Sequence, residues 1–288
     1  MDIEIVINRA GIYGGVKRLY AVADYLVAAG NNVVVNSEDG KGNAWFKHSI
    51  KENIGIKPQV RICAETCRRL LPNAINILYQ QAQFDAPEPD EKFDMVVTTT
   101  KYLSDFLLTN SGITPDYVIP YGFDSNLFKP GTEIPKSNVI AYMPRKNKEE
   151  ANLIFQLMRS DDVIFVAIDG LTELEVINKL QNANIFLALS REEGFGCPAF
   201  EASLCGCNIV GYHGRGGKEW LTNKTCVLTS SPQEFPVCIK EAVRGQHEDK
   251  RLALQQLIKT HLTVEKERDA WLDVINHAVQ LYSRKFVR

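Results

Sequence analysis

The 288-residue chain has no apolar run approaching the roughly 18 residues that a membrane-spanning helix requires, so no spanning segment is expected. Its N-terminus, MDIEIVINRA, lacks a basic stretch leading into a long apolar one, so no signal peptide is expected and a cytoplasmic protein is the reading. Strong charge of either sign is also missing. The formal charge of −2, from 33 Lys/Arg against 35 Asp/Glu, argues against a general nucleic-acid binder, which shows a basic excess. Seven cysteines form an odd set whose spacings suggest no disulfide framework, so reduced thiols are expected. Neither Cys63-x3-Cys67 nor Cys205-x-Cys207 has a second pair or a histidine at zinc spacing. His48, His213, His247, His261 and His277 show no ligand spacing either, so no metal and no cofactor is expected. No G-x-S-x-G elbow, Walker A loop or H-E-x-x-H motif occurs, and there is no internal repeat.

What remains is an ordinary globular composition, 45% apolar and 24% charged, in a chain long enough for two domains. Apolar strand-like runs alternate with helical patterns, which implies α/β structure with parallel sheets covered by helices. The first series of strands is predicted at 3–7, 32–36, 60–63, 74–79, 94–98 and 117–120, with helices after GIYGG and near 64–71 and 100–110. A second series lies at 138–142, 163–168, 184–190, 208–212 and 226–229, with helices at 147–159, 172–182, 198–205 and 216–222. From about 231 to 283 the pattern is helical only. Residues 115–144 hold five of the twelve prolines and read as an interdomain connection. The expected domains are 1–130 and 131–263, followed by a C-terminal helix, 264–288. Two such domains would face each other across a cleft at the carboxyl ends of their strands, where open α/β sheets bind ligands.

Chemistry concentrates in SREEGFGCPAFEASLCGCNIV (190–210), where Glu193 and Glu201 stand seven residues apart. Gly194 and Gly196 allow a close backbone approach to a ligand, and Pro198 suits the first position of a helix. Glu201 would then fall in the first helical turn, beside amides that favour an anion. An ionised carboxylate accepts both hydroxyls of a vicinal diol, so phosphates flanked by diols would satisfy the whole set. Equally, Glu201 could merely complement the helix dipole, with Glu193 on a solvated loop. GIYGG (11–15) departs from G-x-G-x-x-G. With Glu38 at the end of the next strand, it leaves open a dinucleotide-binding oxidoreductase using NAD, or a plain packing turn. In AYMPRKNKEEA (141–151), Arg145, Lys146 and Lys148 could neutralise a diphosphate, while Lys148, Glu149 and Glu150 could be surface pairs. HGRGGKEWL (213–221) brings a further glycine loop to the same edge. Residues 41–69 carry seven Lys/Arg against two acids around Trp45 and Phe46, and read as a solvated face or, less often, a contact for an anionic acceptor or a membrane surface.

In combination these segments resemble retaining glycosyltransferases of the GT-B fold with the E-x7-E signature, a family 4-like group. The resemblance covers most of the chain and rests on EGFGCPAFEASLCGCNIV, GIYGG plus its helix, GRGGKEWL, and DMVVTTTKYLSDFLLTNSGITPDYVIPYGFDSNLFKP. It implies two Rossmann-like domains, a nucleotide-sugar donor (UDP-, GDP- or ADP-sugar) and a glycan or lipid-linked acceptor, with no required metal. By position, Glu201 would hold the ribose hydroxyls and Glu193 the transferred sugar. Gly194, Phe195 and Gly196 would support sugar and phosphate. Arg145 and Lys148 would stabilise the departing diphosphate with Lys146 on the donor, and Gly14–Gly15 would face it from the first domain. The family's lysine usually follows its arginine by about five residues, and here both lysines are nearer. Many members carry a histidine in the first domain near the acceptor. Here Gln80 and Gln81 occupy the comparable point, which leaves room for a catalytically silent nucleotide-sugar-binding subunit.

Overall fold

Both series of apolar runs become all-parallel sheets in the structure, a computed structural model. It describes every residue except Ile12, Ala44, Phe46, Lys47, Asp85, Pro89, Asp90, 133–135 and Arg288, with no side-chain description for Lys136 and Ser137. The chain divides into two compact units, Met1–Gly122 with Val264–Arg288, and Phe123–Thr263.

The first unit holds seven strands: β1 (Asp2–Ile7), β2 (Asn32–Ser37), β3 (Lys51–Glu52), β4 (Val60–Ala64), β5 (Ile75–Gln80), β6 (Met95–Thr98) and β7 (Tyr117–Val118). Their order is β3-β2-β1-β4-β5-β6-β7. β4 and β5 are buried along their whole length, as strands covered on both faces must be. The chain starts at β1, builds to one side, then returns to β4 on the other, so the carboxyl ends of β1 and β4 form a topological switch point. Helix α1 (Gly14–Ala28) buries Leu19, Val22, Ala23 and Leu26, and the chain leaves it through Gly30 at φ 84°. Helix α2 (Lys101–Ser111) is capped by the Thr100 side chain and ends at the left-handed Gly112.

The helix expected near 64–71 does not form. A turn at 65–66 follows β4, and Pro72 bars continuation. The Asn76 amide binds both the N–H of Leu71 (2.8 Å) and its carbonyl (2.9 Å), which satisfies the backbone without a helical ladder.

The second unit carries β8 (Lys136–Tyr142), β9 (Ile164–Ala167), β10 (Ala183–Ala188), β11 (Asn208–Gly211) and β12 (Val227–Leu228), in the order β12-β11-β10-β8-β9. Helices α3 (Lys148–Leu157), α4 (Glu173–Gln181), α5 (Cys197–Leu204), α6 (Phe235–Val243) and α7 (Glu248–His261) follow the strands or the C-terminal stretch. Its core includes Ile140, Ile154, Ile185, Leu187, Val210, Phe235 and Ile239. Here the switch point lies between β8 and β10. The helix expected at 216–222 is only a single 3₁₀ turn, Gly216–Glu219.

The unit boundary falls at Gly122/Phe123 rather than at 130/131. Phe123 stacks on Phe200 with ring centroids 5.2 Å apart, and its N–H binds the Leu262 carbonyl at 2.8 Å. Phe128 is buried, and Gln181 binds the Lys129 carbonyl at 2.9 Å, so the segment after Phe123 is packed rather than a free linker. Helix α8 (Val264–Phe286) lies on the first unit, with Trp271 fully buried and edge-on to Tyr79 at 4.8 Å. Its buried Glu267 pairs with Arg18 at 3.4 Å and accepts the Gly122 N–H at 3.0 Å and the Tyr25 hydroxyl at 3.1 Å. No disulfide joins the cysteines. Among the described residues no helix is long and apolar enough to cross a membrane.

Candidate functional site

The switch point of the second sheet collects most of the residues singled out in the sequence. β8 runs through Met143 into a 3₁₀ turn, Pro144–Lys146, which swings Lys146 toward β10. β10 ends at Ala188, and the chain runs through Ser190 to Glu193. There the Glu193 carboxylate accepts a hydrogen bond from Ser190 Oγ at 2.7 Å and forms an ion pair with Lys146 Nζ. Both side chains of the pair are 21% exposed, so the pair meets solvent and remains within reach of a ligand. These groups line one pocket with the Gly196, Pro198 and Ala199 start of α5, and with Tyr212, His213 and Gly214 after β11.

Two loops hold that geometry backbone to backbone. The Glu193 N–H binds the Gly214 carbonyl at 2.8 Å, and the Gly216 N–H binds the Glu193 carbonyl at 3.0 Å. A Cβ added at Gly216 would stand 1.9 Å from the Gly194 carbonyl oxygen, a separation no substituent tolerates. Gly196, at φ 93°, is the N-cap of α5 and provides no side-chain cap. Cys197 is the first helical residue and Pro198 the second, one position later than expected; its missing N–H is harmless at either. Glu201 therefore lies in the second turn of α5 rather than the first, and it is buried, at 9% exposure. Gly194 and Phe195 connect Glu193 to this helix, and the Phe195 ring is buried against Phe200 and Phe123.

The three basic residues separate by position. Lys146 meets Glu193. Arg145 is exposed, its guanidinium 3.8 Å from Met143 Sδ, and Lys148 is exposed on the first turn of α3. Glu150, for which a surface pair is one of the two readings, is buried. It binds Arg191 at 2.8 Å, Asn147 Nδ2 at 2.6 Å and the Tyr212 hydroxyl, while the Arg191 guanidinium lies 4.2 Å above the Tyr212 ring. One carboxylate thus ties together the ends of β8, β10 and β11. The links from Glu150 to Arg191 and Tyr212 were missed because those partners lie 41 and 62 residues away in sequence; His213 lay inside a motif noted only for its glycines.

At the switch point of the first sheet, Gly14 and Gly15 open α1 behind Tyr13, which makes no side-chain cap. Gln81 Nε2 donates to the Gly15 carbonyl and to the Tyr121 hydroxyl, both at 3.1 Å. Gln80 is fully buried, and its amide binds the carbonyls of Ala82 (2.6 Å) and Phe84 (3.0 Å), so it shapes the loop after β5. Glu65, at the end of β4, receives the Gln81 N–H, and burial pushes its carboxyl up to about 7. Sequence reasoning counted Glu65 only as a charge. Glu38 is exposed at the end of β2.

The basic excess of 41–69 is partly neutralised within the fold. Arg61 is buried against Glu4 at 2.6 Å, and Arg68 pairs with Glu91 at 3.3 Å. Phe46 and Lys47 lie outside the described residues. Among the described residues no group of three or more His, Cys, Asp or Glu could hold a metal ion.

No family model matches the chain. An alpha-1,6-glucosyltransferase of Actinobacillus pleuropneumoniae serotype 7 (strain AP76) is 26% identical over 130 residues, 43% of this chain. The match spans 39% of that relative's length. Among solved structures, sucrose-phosphate synthase from Thermosynechococcus elongatus superposes with a TM-score of 0.75 at 14% identity, over 99% of this chain and 100% of that one. Anabaena HepE, solved in complex with UDP and glucose, gives 0.71 at 13% identity over 96% and 100%. A glycosyltransferase from Rickettsia africae gives 0.71 at 15% identity over 97% and 98%. At these identities the likeness is one of fold: two parallel-sheet α/β units, as in glycosyltransferase structures of the GT-B type.

Proposed function

We propose that the chain is a retaining glycosyltransferase that moves a sugar from a nucleotide-sugar donor to a hydroxyl of a glycan or lipid-linked acceptor. The observation that carries the reading is the Glu193–Lys146–Ser190 cluster at the β8/β10 switch point, one helix start away from buried Glu201. A carboxylate beside an ammonium, next to the uncapped start of a helix, suits a ligand with hydroxyls at one end and phosphates in the middle. Two similarities add support: the partial match to an alpha-1,6-glucosyltransferase, and the fold shared with a protein solved bound to UDP and glucose.

In this reading Glu201 accepts the ribose hydroxyls of the nucleotide. Glu193 accepts from the transferred sugar and stabilises positive charge developing at its anomeric carbon. Lys146, already at the Glu193 carboxylate, rather than Lys148, is the lysine that meets the diphosphate. Exposed Arg145 adds the second positive charge as the diphosphate departs. The amides of Gly194, Phe195 and Gly196 line the phosphate path. The acceptor engages the first unit near Gln81, and no metal is required.

Thermal unfolding with UDP, GDP and ADP tests the donor class. One of them should raise the midpoint, because a ligand bound only to the folded state stabilises it by mass action. Slow release of free sugar from the matching nucleotide-sugar, without acceptor, would mark an enzyme rather than a silent binding subunit. Stabilisation by none of the three would reject the reading.

A further inference from the structure

We propose that His213 is a sugar-binding residue whose Nε2–H donates a hydrogen bond to a hydroxyl oxygen of the donor's sugar. The inference rests on the glycosyltransferase reading above and adds a specificity-determining side chain to it.

His213 follows β11, the strand beside β10, and lines the pocket that holds Lys146, Ser190 and Glu193. Its Nδ1 accepts the backbone N–H of Arg215 at 2.9 Å. A neutral imidazole whose Nδ1 accepts must carry its proton on Nε2. Among the described residues Nε2 has no partner, so the ring offers the pocket an unused donor. Burial, followed by the nearby cations Lys218 and Arg215, holds the ring below the usual histidine range and so keeps it neutral.

The frame around the ring is rigid. Gly214 sits at φ 61°, and a Cβ there would meet the Glu193 Cβ at 3.0 Å. The Glu193 N–H to Gly214 and Gly216 N–H to Glu193 hydrogen bonds lock the two loops together. His213 and the Glu193 carboxylate thereby line the same pocket from loops held to each other. A hydroxyl group both donates and accepts, so it satisfies the pair, whereas a phosphate would meet the Glu193 charge unfavourably. Lys146 and Arg145 are the groups suited to phosphate, which leaves the imidazole for the sugar.

The test compares wild type, His213→Leu and His213→Gln by titration calorimetry with UDP, GDP and ADP and with the glucose conjugate of each. The leucine variant should bind the conjugate about tenfold more weakly, the weight of one neutral hydrogen bond. Its affinity for the bare nucleotide should be unchanged, and glutamine, whose amide N–H reaches where Nε2–H does, should restore most of the loss. Equal loss for nucleotide and conjugate, or no loss for either, overturns the proposal while leaving the glycosyltransferase reading in place. Failure of wild type to bind any nucleotide or conjugate overturns both. On the wild-type protein, ¹⁵N NMR should show His213 as the Nε2–H tautomer, with that resonance moved by the conjugate and not by the nucleotide. An Nδ1–H tautomer overturns the proposal without any variant.

Discussion

Glu193 and Glu201 differ in surroundings more than their shared residue type suggests, and each difference gives an expected outcome. Glu201 is buried in α5, so Glu201→Ala should remove charge-assisted hydrogen bonds to the nucleotide and weaken its binding about 10- to 100-fold by calorimetry. Glu193 is more exposed and faces Lys146 and Ser190, so Glu193→Gln should leave nucleotide affinity within a few-fold. Its turnover should fall about 10²-fold or more, because the lost charge acts on the developing positive centre. Similar small effects of both on binding and turnover would reject the assignment. Lys146→Met should depress turnover far more than Lys148→Met, since only Lys146 reaches the Glu193 carboxylate. The two glutamates and their glycines were legible because their spacing is local. The Lys146–Glu193 contact was not, since it depends on a 3₁₀ turn that aims Lys146 across to the neighbouring strand.

Among the elements, the loop 213–217 is held by backbone contacts that leave no room for a side chain at Gly216. Gly216→Ala would place a methyl against the Gly194 carbonyl, so it should displace Glu193 and abolish donor hydrolysis even where the protein still folds. Retained activity in that variant would show that the loop is not what positions Glu193. In the first unit, the turn that replaces the expected helix after β4 buries Glu65 beneath Gln81. Its folded pKa, raised by burial to about 7, exceeds the ordinary carboxyl value of 4.5, so between those values the folded state holds a proton that the unfolded chain has released. This group's contribution is therefore best below pH 4.5 and declines as pH rises toward 7. Glu65→Gln should flatten that decline relative to wild type in unfolding midpoints measured from pH 5 to 8. Strands were legible as continuous apolar runs. The missing helix was not, because Asn76, on the following strand, binds both polar groups of Leu71 and outweighs the helical spacing of 64–71.

For the molecule as a whole, α8 is a main support of the first unit although it comes last in the chain. Trp271→Ala should cost about 3–5 kcal/mol of that unit's stability, measured by chemical unfolding, since a fully buried indole leaves a large cavity. Turnover should persist in EDTA if the departing diphosphate is neutralised by Lys146 and Arg145 alone. Loss of turnover, with recovery on adding a divalent cation, would reject the metal-independent reading. Hydrophobic periodicity and glycine–proline punctuation are local properties, and they sufficed for the α/β class, the two series of strands and the glycine loops. Strand order is non-local, and so only the tertiary structure places β8 beside β10 and β1 beside β4. That order sets which chain ends share a switch point. It brings Lys146 to Glu193, His213 into their pocket, Glu150 to Arg191, and the buried Glu65 beneath the Gln81 that holds Gly15.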